Sequence, residues 1–322
     1  MKNVARNADW EARECRQVRA GRQADMIVSQ LGLSAPINPL AIVALESPPL
    51  LAQGGDFRNA YDGKLKYVKA SRRFLLFYNN KYNTGLPDGE HHPRTRFSIA
   101  HELGHYFIDA HHRYLLGGGT SHGSRSEFRN DNTIEREADS FAASILLPRG
   151  LAEREFNSKA LSINRVQEIA GHFKASLLCT AFRAVRLSDD PCALVGIRAG
   201  SIVWMFRSDA LARAGLYPKK TKDLVSQAAM WQWQLFPLAN RPSDATETSI
   251  GDWFEPYERA DKYRDVVVLE HFLPVPVMET LVVLLTIEYD ALFLSEGESE
   301  GESEGYDSDD EPWTKERHDS GD

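Results

Sequence analysis

The chain has 322 residues, enough for two domains or for one with a large appendage, and its 42% apolar and 26% charged content describes a soluble globular protein with a sizeable core. No apolar run approaches the ~20 residues a membrane helix needs, which excludes a helical membrane protein. The net charge of -8 sits at the C-terminal end: Glu296 to Asp322 holds twelve acids against two bases, so everything before it carries about +2, which excludes a strongly basic nucleic-acid binder.

The first ten residues lack the apolar core of a signal peptide. Cys15, Cys179 and Cys192 are scattered and form neither a metal pair nor a disulfide framework. A reducing cytoplasm is the expected compartment. Residues from about Trp10 to Leu31 read as a helix, and Asn38, in the Pro36 to Pro39 turn, caps a short helix through Val43 and Ala44. Leu50-Leu51, Leu65 to Val68 and Phe74 to Tyr78 then read as strands, with Asp62-Gly63 as a turn signal. They predict a small sheet whose last strand lies near the helix that follows. An edge strand in that place can hold an extended peptide by strand addition.

Asn79 to His92 is a polar loop, and His91 and His92 read as solvated loop residues because no regular geometry ties them to the next helix. Arg94 and Arg96 leave two roles open, pairing with acids or shaping a cleft entrance. Pro93 suits a first helical turn, and Phe97, Ala100, Gly104, Phe107 and Ile108 follow helical spacing. Within this helix lies His101-Glu-Leu-Gly-His105. Two histidines four apart sit about 40° apart around a helix and roughly 6 Å apart along it, so both can reach one ion with Glu102 beside a water at that ion. This is the H-E-x-x-H arrangement of zinc hydrolases. Gly104 costs helix stability relative to Ala, which makes sense if another segment approaches closely there.

Leu115 to Ser126 is a Gly/Ser-rich stretch of the kind that gates sites or merely connects elements, and His122 within it reads as exposed. Asn132 to Pro148 carries Ala138, Phe141, Ala142, Ile145 and Leu146 at helical spacing, ended by Pro148 and Gly150. A two-histidine zinc site needs a third protein ligand and an open position. Glu135 and Asp139 share a face, so Glu135 can be that ligand and Asp139 can accept a hydrogen bond from a ligand histidine's other nitrogen. Glu135 is also placed to make a capping pair with Asn132, and Glu137 is a second acid in the first turns; Glu135 is preferred because it alone pairs with Asp139. His111 stands ten residues after His101, the third-ligand spacing of metzincins. The glycine that breaks the helix in that motif is replaced by Ile108, and a continuing helix would carry His111 about 15 Å from His101. His111, His112 and Asp109 are therefore expected to be polar residues at a helix end.

Phe97-Ser-Ile-Ala-His-Glu-Leu-Gly-His105, followed by Glu135-x-x-Ala-Asp-x-Phe-Ala-Ala-x-Ile-Leu-Leu-Pro148, resembles the ImmA/IrrE family of zinc metalloendopeptidases over roughly Trp10 to Leu187. The resemblance implies a gluzincin-like core in which His101, His105 and Glu135 bind one zinc per chain and Glu102 is the base. It also implies a helix-turn-helix repressor as protein substrate, whose cleavage releases genes of mobile elements or stress regulons.

Asn164 to Phe173 and Ser176 to Val185 read as two helices with a helix-turn-helix-like turn, and Arg165, Lys174, Arg183 and Arg186 add charge. Packing helices that support the site are the expectation, because no broad basic surface accompanies them; a DNA-binding role would show salt-dependent affinity lost with Arg183 and Arg186. Cys192 to Ile197, Ile202 to Phe206, Val266 to Leu269 and Leu281 to Ile287 read as strands, with a helix from Lys222 to Gln234 and a turn at Pro274 and Pro276 interrupting the last two strands. Trp231, Trp233 and Trp253 read as core ahead of a recognition surface. The Glu-Gly/Glu-Ser repeat from Ser295 is too polar to bury a core and is expected to be disordered.

The expected organisation is α+β: a zincin-like domain over 1–150, a helical segment over 151–188, an α+β domain over 189–294 and an acidic tail over 295–322. The expected activity is that of a cytoplasmic zinc endopeptidase. The competing reading is a non-catalytic regulatory or DNA-binding module that keeps zinc for structure or sensing and acts through its helical segment or C-terminal domain, against which the intact Glu102 argues.

Overall fold

The computed structural model describes residues 2–293 apart from 120–122, 125–131, 220–222, 225, 237, 239–240, 244, 257–262 and 264, with side chains described from Cys15 onward. The expectations for His122 and the acidic tail lie outside these residues. Helices and antiparallel-rich sheets alternate along the chain, an α+β architecture.

Helix α1 (Lys2–Gln30) packs along α5 (Thr133–Leu146). The short α2 (Pro39–Leu45) is capped by Asn38 Oδ1, which accepts from the Leu40 amide at 3.1 Å. Strands β1 (Leu50–Gly55), β2 (Gly63–Val68) and β3 (Arg73–Asn79) form a sheet ordered β1-β3-β2, with β3 parallel to β1 and antiparallel to β2. Alternation along these strands sends Leu50, Leu65, Phe74 and Leu76 into the core. The last strand, β3, does pack on the following helix α3 (Pro93–Phe107), but it is the central strand; the edge that borders the His-Glu motif belongs to β2.

Helix α3 starts as Pro93 suggests, with His92 as N-cap accepting from the Arg94 amide at 3.1 Å. Helix α3 crosses α5 closely at Gly104. A Cβ there would lie 3.1 Å from the Cα of Ala138 and 3.3 Å from its carbonyl oxygen, so the absent side chain is what lets the two backbones approach. Phe141 is fully buried beside this crossing, where truncation to alanine costs about 3–5 kcal/mol in typical cores.

The sequence expectation of one continuing helix past Phe107 is overturned. Ile108 adopts an extended conformation (φ -71°, ψ 111°), and the chain restarts as α4 (Asp109–Leu116). This break keeps φ negative, so it does not need the glycine whose absence argued for continuity.

Helices α6 (Arg149–Phe156), α7 (Ile163–Phe173) and α8 (Leu177–Leu187) follow. Helix α8 is buried along most of its length, and Arg183 donates to the Leu147 carbonyl at 2.8 Å and to Asp25 at 3.0 Å. A helix so enclosed has no face left for a DNA groove; it serves as packing beneath α5.

The remainder comprises β4 (Cys192–Arg198), β5 (Ser201–Arg207), α9 (Asp209–Arg213), β6 (Leu216–Pro218), α10 (Gln227–Leu235), β7 (Thr246–Ser249), α11 (Ile250–Trp253), β8 (Phe254–Pro256), β9 (Val267–Val275), β10 (Thr280–Thr286) and α12 (Tyr289–Phe293). Strands β5-β4-β10-β9-β7 form a five-stranded antiparallel sheet. Cys192, Leu194, Val282 and Leu284 join the core shared with α7 and α8, while Ala193, Val195, Leu281 and Val283 join a second core on the other face. Burial on both faces explains why these strands read as unbroken apolar runs. The expected turn between the last two strands lies at Pro276–Met278, but Pro274 does not interrupt a strand: it lies within β9, opposite Leu281, beyond the short pairing with β7 that ends at Glu270. The missing amide therefore costs no ladder bond on the β7 side. The tryptophans divide: Trp253 is 1% exposed and donates to Glu270 at 2.6 Å, Trp233 stacks on Phe236, and Trp231 is 60% exposed.

Candidate metal centre

Because α3 places His101 and His105 one turn apart and the crossing at Gly104 brings α5 against them, four side chains converge. His101 Nε2 lies 3.1 Å from His105 Nε2 and 3.1 Å from Glu135 Oε2, and His105 Nε2 lies 3.7 Å from Glu135 Oε1. On the far side of the His101 ring, Nδ1 lies 2.8 Å from Asp139 Oδ1. All four are largely enclosed, His101 and Glu135 most of all.

The donor set fits a metal. A proton held on His101 Nδ1 by Asp139 turns the Nε2 lone pair toward the other two groups. Two imidazole nitrogens and a carboxylate facing one point repel unless a cation lies among them. Their ligand atoms lie within 4.8 Å of one another, a cluster that can hold one ion. Without metal the cation is a proton. Burial works against the charge of His101, but its bonds to Asp139 and Glu135 outweigh this and push its pKa up to about 10. Burial likewise works against ionisation of Glu135, and the two histidines more than offset it, holding the carboxyl far below the usual range. Asn132 caps α5 through the Ile134 amide, so the helix does not depend on Glu135 for its cap.

Glu102, on α3 between the histidines, is 1% exposed. Its Oε1 accepts from Ser124 Oγ at 2.5 Å, and it faces the start of β2. A Cβ on Gly63 would lie 2.7 Å from that oxygen, so only glycine lets the strand edge pass this carboxylate. Ser124 also bridges the edge: the Asp62 amide donates to its carbonyl and its own amide donates to that of Gly63, both at 2.9 Å. Asp62 in turn accepts from Arg94 at 2.7 Å and from Tyr82 at 3.0 Å, tying the strand to the first turn of α3. Of the two roles left open for the arginines, Arg94 takes an acid partner; Arg96 is buried and donates to the carbonyls of Ile37 and Lys174.

His111 is corrected from a polar helix-end residue to a buried one. The break at Ile108 turns α4 back so that the His111 ring lies 5.1 Å from that of His105, and His111 is 4% exposed. Its Nε2 lies 3.1 Å from Glu137 Oε2. Burial, then the neighbouring His105, push its pKa down to about 4, so it is neutral at physiological pH. Glu137 thus has a partner of its own, separate from the cluster. His91 and His92 stay outside the cluster: His91 meets Asn83 and His92 caps α3. Tyr106 is taken up by Glu46, to which it donates at 3.1 Å. Sequence reasoning missed Gly63, Ser124 and Asp62; the Asp-Gly pair was legible only as a turn.

Residues 67–185 match the model of the IrrE N-terminal-like domain, Peptidase_M78. Among solved structures, a Mycobacterium tuberculosis transcriptional regulator is similar at 12% identity and a TM-score of 0.54, over 87% of this chain and 79% of that one, a likeness of fold. No curated protein matches the chain. Both motifs fall inside the matched span, so residues 67–185 form an IrrE N-terminal-like domain of the Peptidase_M78 family.

Proposed function

We propose that this protein is a zinc endopeptidase acting on a protein substrate, with His101, His105 and Glu135 as metal ligands, Glu102 as catalytic base and Asp139 orienting His101. The observation that carries this reading is the convergence of two imidazoles and one carboxylate beside a buried glutamate that takes no part in the cluster. A structural zinc site closes all four positions with ligands and has no use for that glutamate. Zinc, when bound, supplies Lewis acidity toward the scissile carbonyl. Glu102 takes the proton of the attacking water and passes it to the leaving amine. The edge of β2 beyond Gly63, where Ser124 already pairs beside Glu102, offers main-chain groups to an extended substrate. A gluzincin-like arrangement, with the catalytic unit in 1–150, the helical support in 151–188 and a further unit in 189–294, fits this reading. Three unpaired cysteines fit a cytoplasmic setting.

A helix-turn-helix repressor is the proposed substrate class, from the family and from the transcriptional role of the similar structure. Incubation of zinc-loaded protein with such repressors, followed by intact-mass analysis, should show a single chelator-sensitive cleavage. Uncut repressors and uncut unfolded carrier protein would refute the endopeptidase reading.

Two further outcomes follow from the geometry. Zinc must displace the His101 proton, which the site keeps at any pH below about 10. Calorimetry in buffers of different ionisation enthalpy should therefore find about one proton released per zinc at neutral pH, with affinity rising about tenfold per pH unit. The same raised pKa stabilises the metal-free fold fully below the unfolded value of about 6.5, a contribution lost as pH rises through about 10. Gly63→Ala should keep zinc but lower turnover about a hundredfold, because the new methyl shifts the Glu102 carboxylate. Unchanged turnover in that variant would show that the base is elsewhere.

A further inference from the structure

The β2–β3 hairpin carries a charge imbalance that the metal centre does not use. From Arg58 to Lys81 there are seven cations (Arg58, Lys64, Lys66, Lys69, Arg72, Arg73 and Lys81) and one acid, Asp62. Asp62 is buried and taken by Arg94. None of the seven forms an ion pair among the described residues, whereas Arg94, Arg113, Arg149, Arg165, Lys174 and Arg183 each do. Register places the cations together. Lys64 lies opposite Phe77, Lys66 opposite Leu75 and Val68 opposite Arg73, all on the sheet face turned away from the core, with Lys69 and Arg72 in the connecting turn. Lys66, Lys69, Arg72 and Arg73 are exposed. Like charges this close raise each other's energy and call for an anionic partner.

The chain holds such a partner. Glu296 to Asp322 carries twelve acids and two bases, while the rest of the chain is near neutral. Twenty-nine residues follow Phe293, the last described one. Extended, they reach up to about 95 Å, beyond the ~50 Å breadth of a fold of this size. A tethered segment meets the face at an effective concentration that a free anion of micromolar abundance does not match. The stretch is poor in apolar residues, so a flat, charged sheet face suits it better than a groove. We infer that the acidic C-terminal segment docks on the basic outer face of the β2–β3 hairpin and shields it. A docked segment lies across the strand whose other features border Glu102, so it competes with any anionic ligand for that face. The inference does not depend on the peptidase reading.

Zero-length carboxyl–amine cross-linking of the full chain, mixed with isotope-labelled copies, tests this directly. The expected products join Lys64, Lys66 or Lys69 to acids of 296–322 within one copy. Their yield should fall several-fold in 1 M salt, where the screening length is about 3 Å, and in the Arg72→Gln/Arg73→Gln variant, which leaves the amines in place. Neutralising Glu296, Glu298, Glu300, Glu302 and Glu304 to Gln should raise affinity for a short DNA duplex or heparin about tenfold or more, by uncovering the patch. Cross-links only between copies, or to lysines elsewhere, would overturn the inference. Equal duplex affinity with and without the tail charges, lost on Arg72→Gln/Arg73→Gln, would instead make the face a nucleic-acid surface.

Discussion

Replacing Glu102 with glutamine should leave about one zinc per chain and remove between about 10² and 10⁴ of peptidase turnover, the range ascribed to general acid–base catalysis. The substitution is nearly isosteric, so the packing of a residue 1% exposed is preserved, and the amide oxygen can still accept from Ser124. What is lost is the capacity to take a proton. Metal analysis and turnover on the same preparation give the result: retained activity with retained zinc would remove Glu102 from the mechanism, whereas loss of both would make it a structural residue.

The second large effect separates the two acids of α5. Zinc sites release about 10–16 kcal/mol over four ligands, so one ligand accounts for about 3 kcal/mol, more than a hundredfold in affinity. Glu135→Ala should lose that much and purify without metal. Glu137→Ala should keep its zinc, since Glu137 faces His111 rather than the cluster. Its cost is in stability, about 1–3 kcal/mol, from leaving the buried His111 without its partner. Competitive titration against a zinc chelator, paired with thermal unfolding of the two variants, reads both. Zinc lost from the Glu137 variant and kept by the Glu135 variant would reverse the assignment.

The effects differ because the neighbouring carboxylates, two residues apart on one helix, point at different histidines. Spacing could rank them, since Glu135 shares a face with Asp139. It could not show that Glu137 has a histidine of its own. That histidine was hidden by a rule about glycine: the absent helix-breaking residue at 108 implied a straight helix, and the chain breaks there through an extended isoleucine instead. The rule concerns a left-handed break, and this break is not one. Ser124 was equally hidden. A serine in a Gly/Ser-rich stretch carries no local signal, and its place against Glu102 depends on pairing with a strand some sixty residues earlier in the chain.

By itself the sequence determined the helix that carries the His-Glu motif, its partner helix and the convergence of His101, His105, Glu135 and Asp139. Helical period is a local property, and Gly104 marks where two helices can approach. The short strands were legible for the same reason, through alternation over five or six residues. Only the tertiary structure decided which sheet edge meets Glu102, where His111 goes, and that α8 is enclosed rather than offered to DNA. Each of these depends on contacts between segments far apart in the chain, and no residue type or spacing carries that information alone.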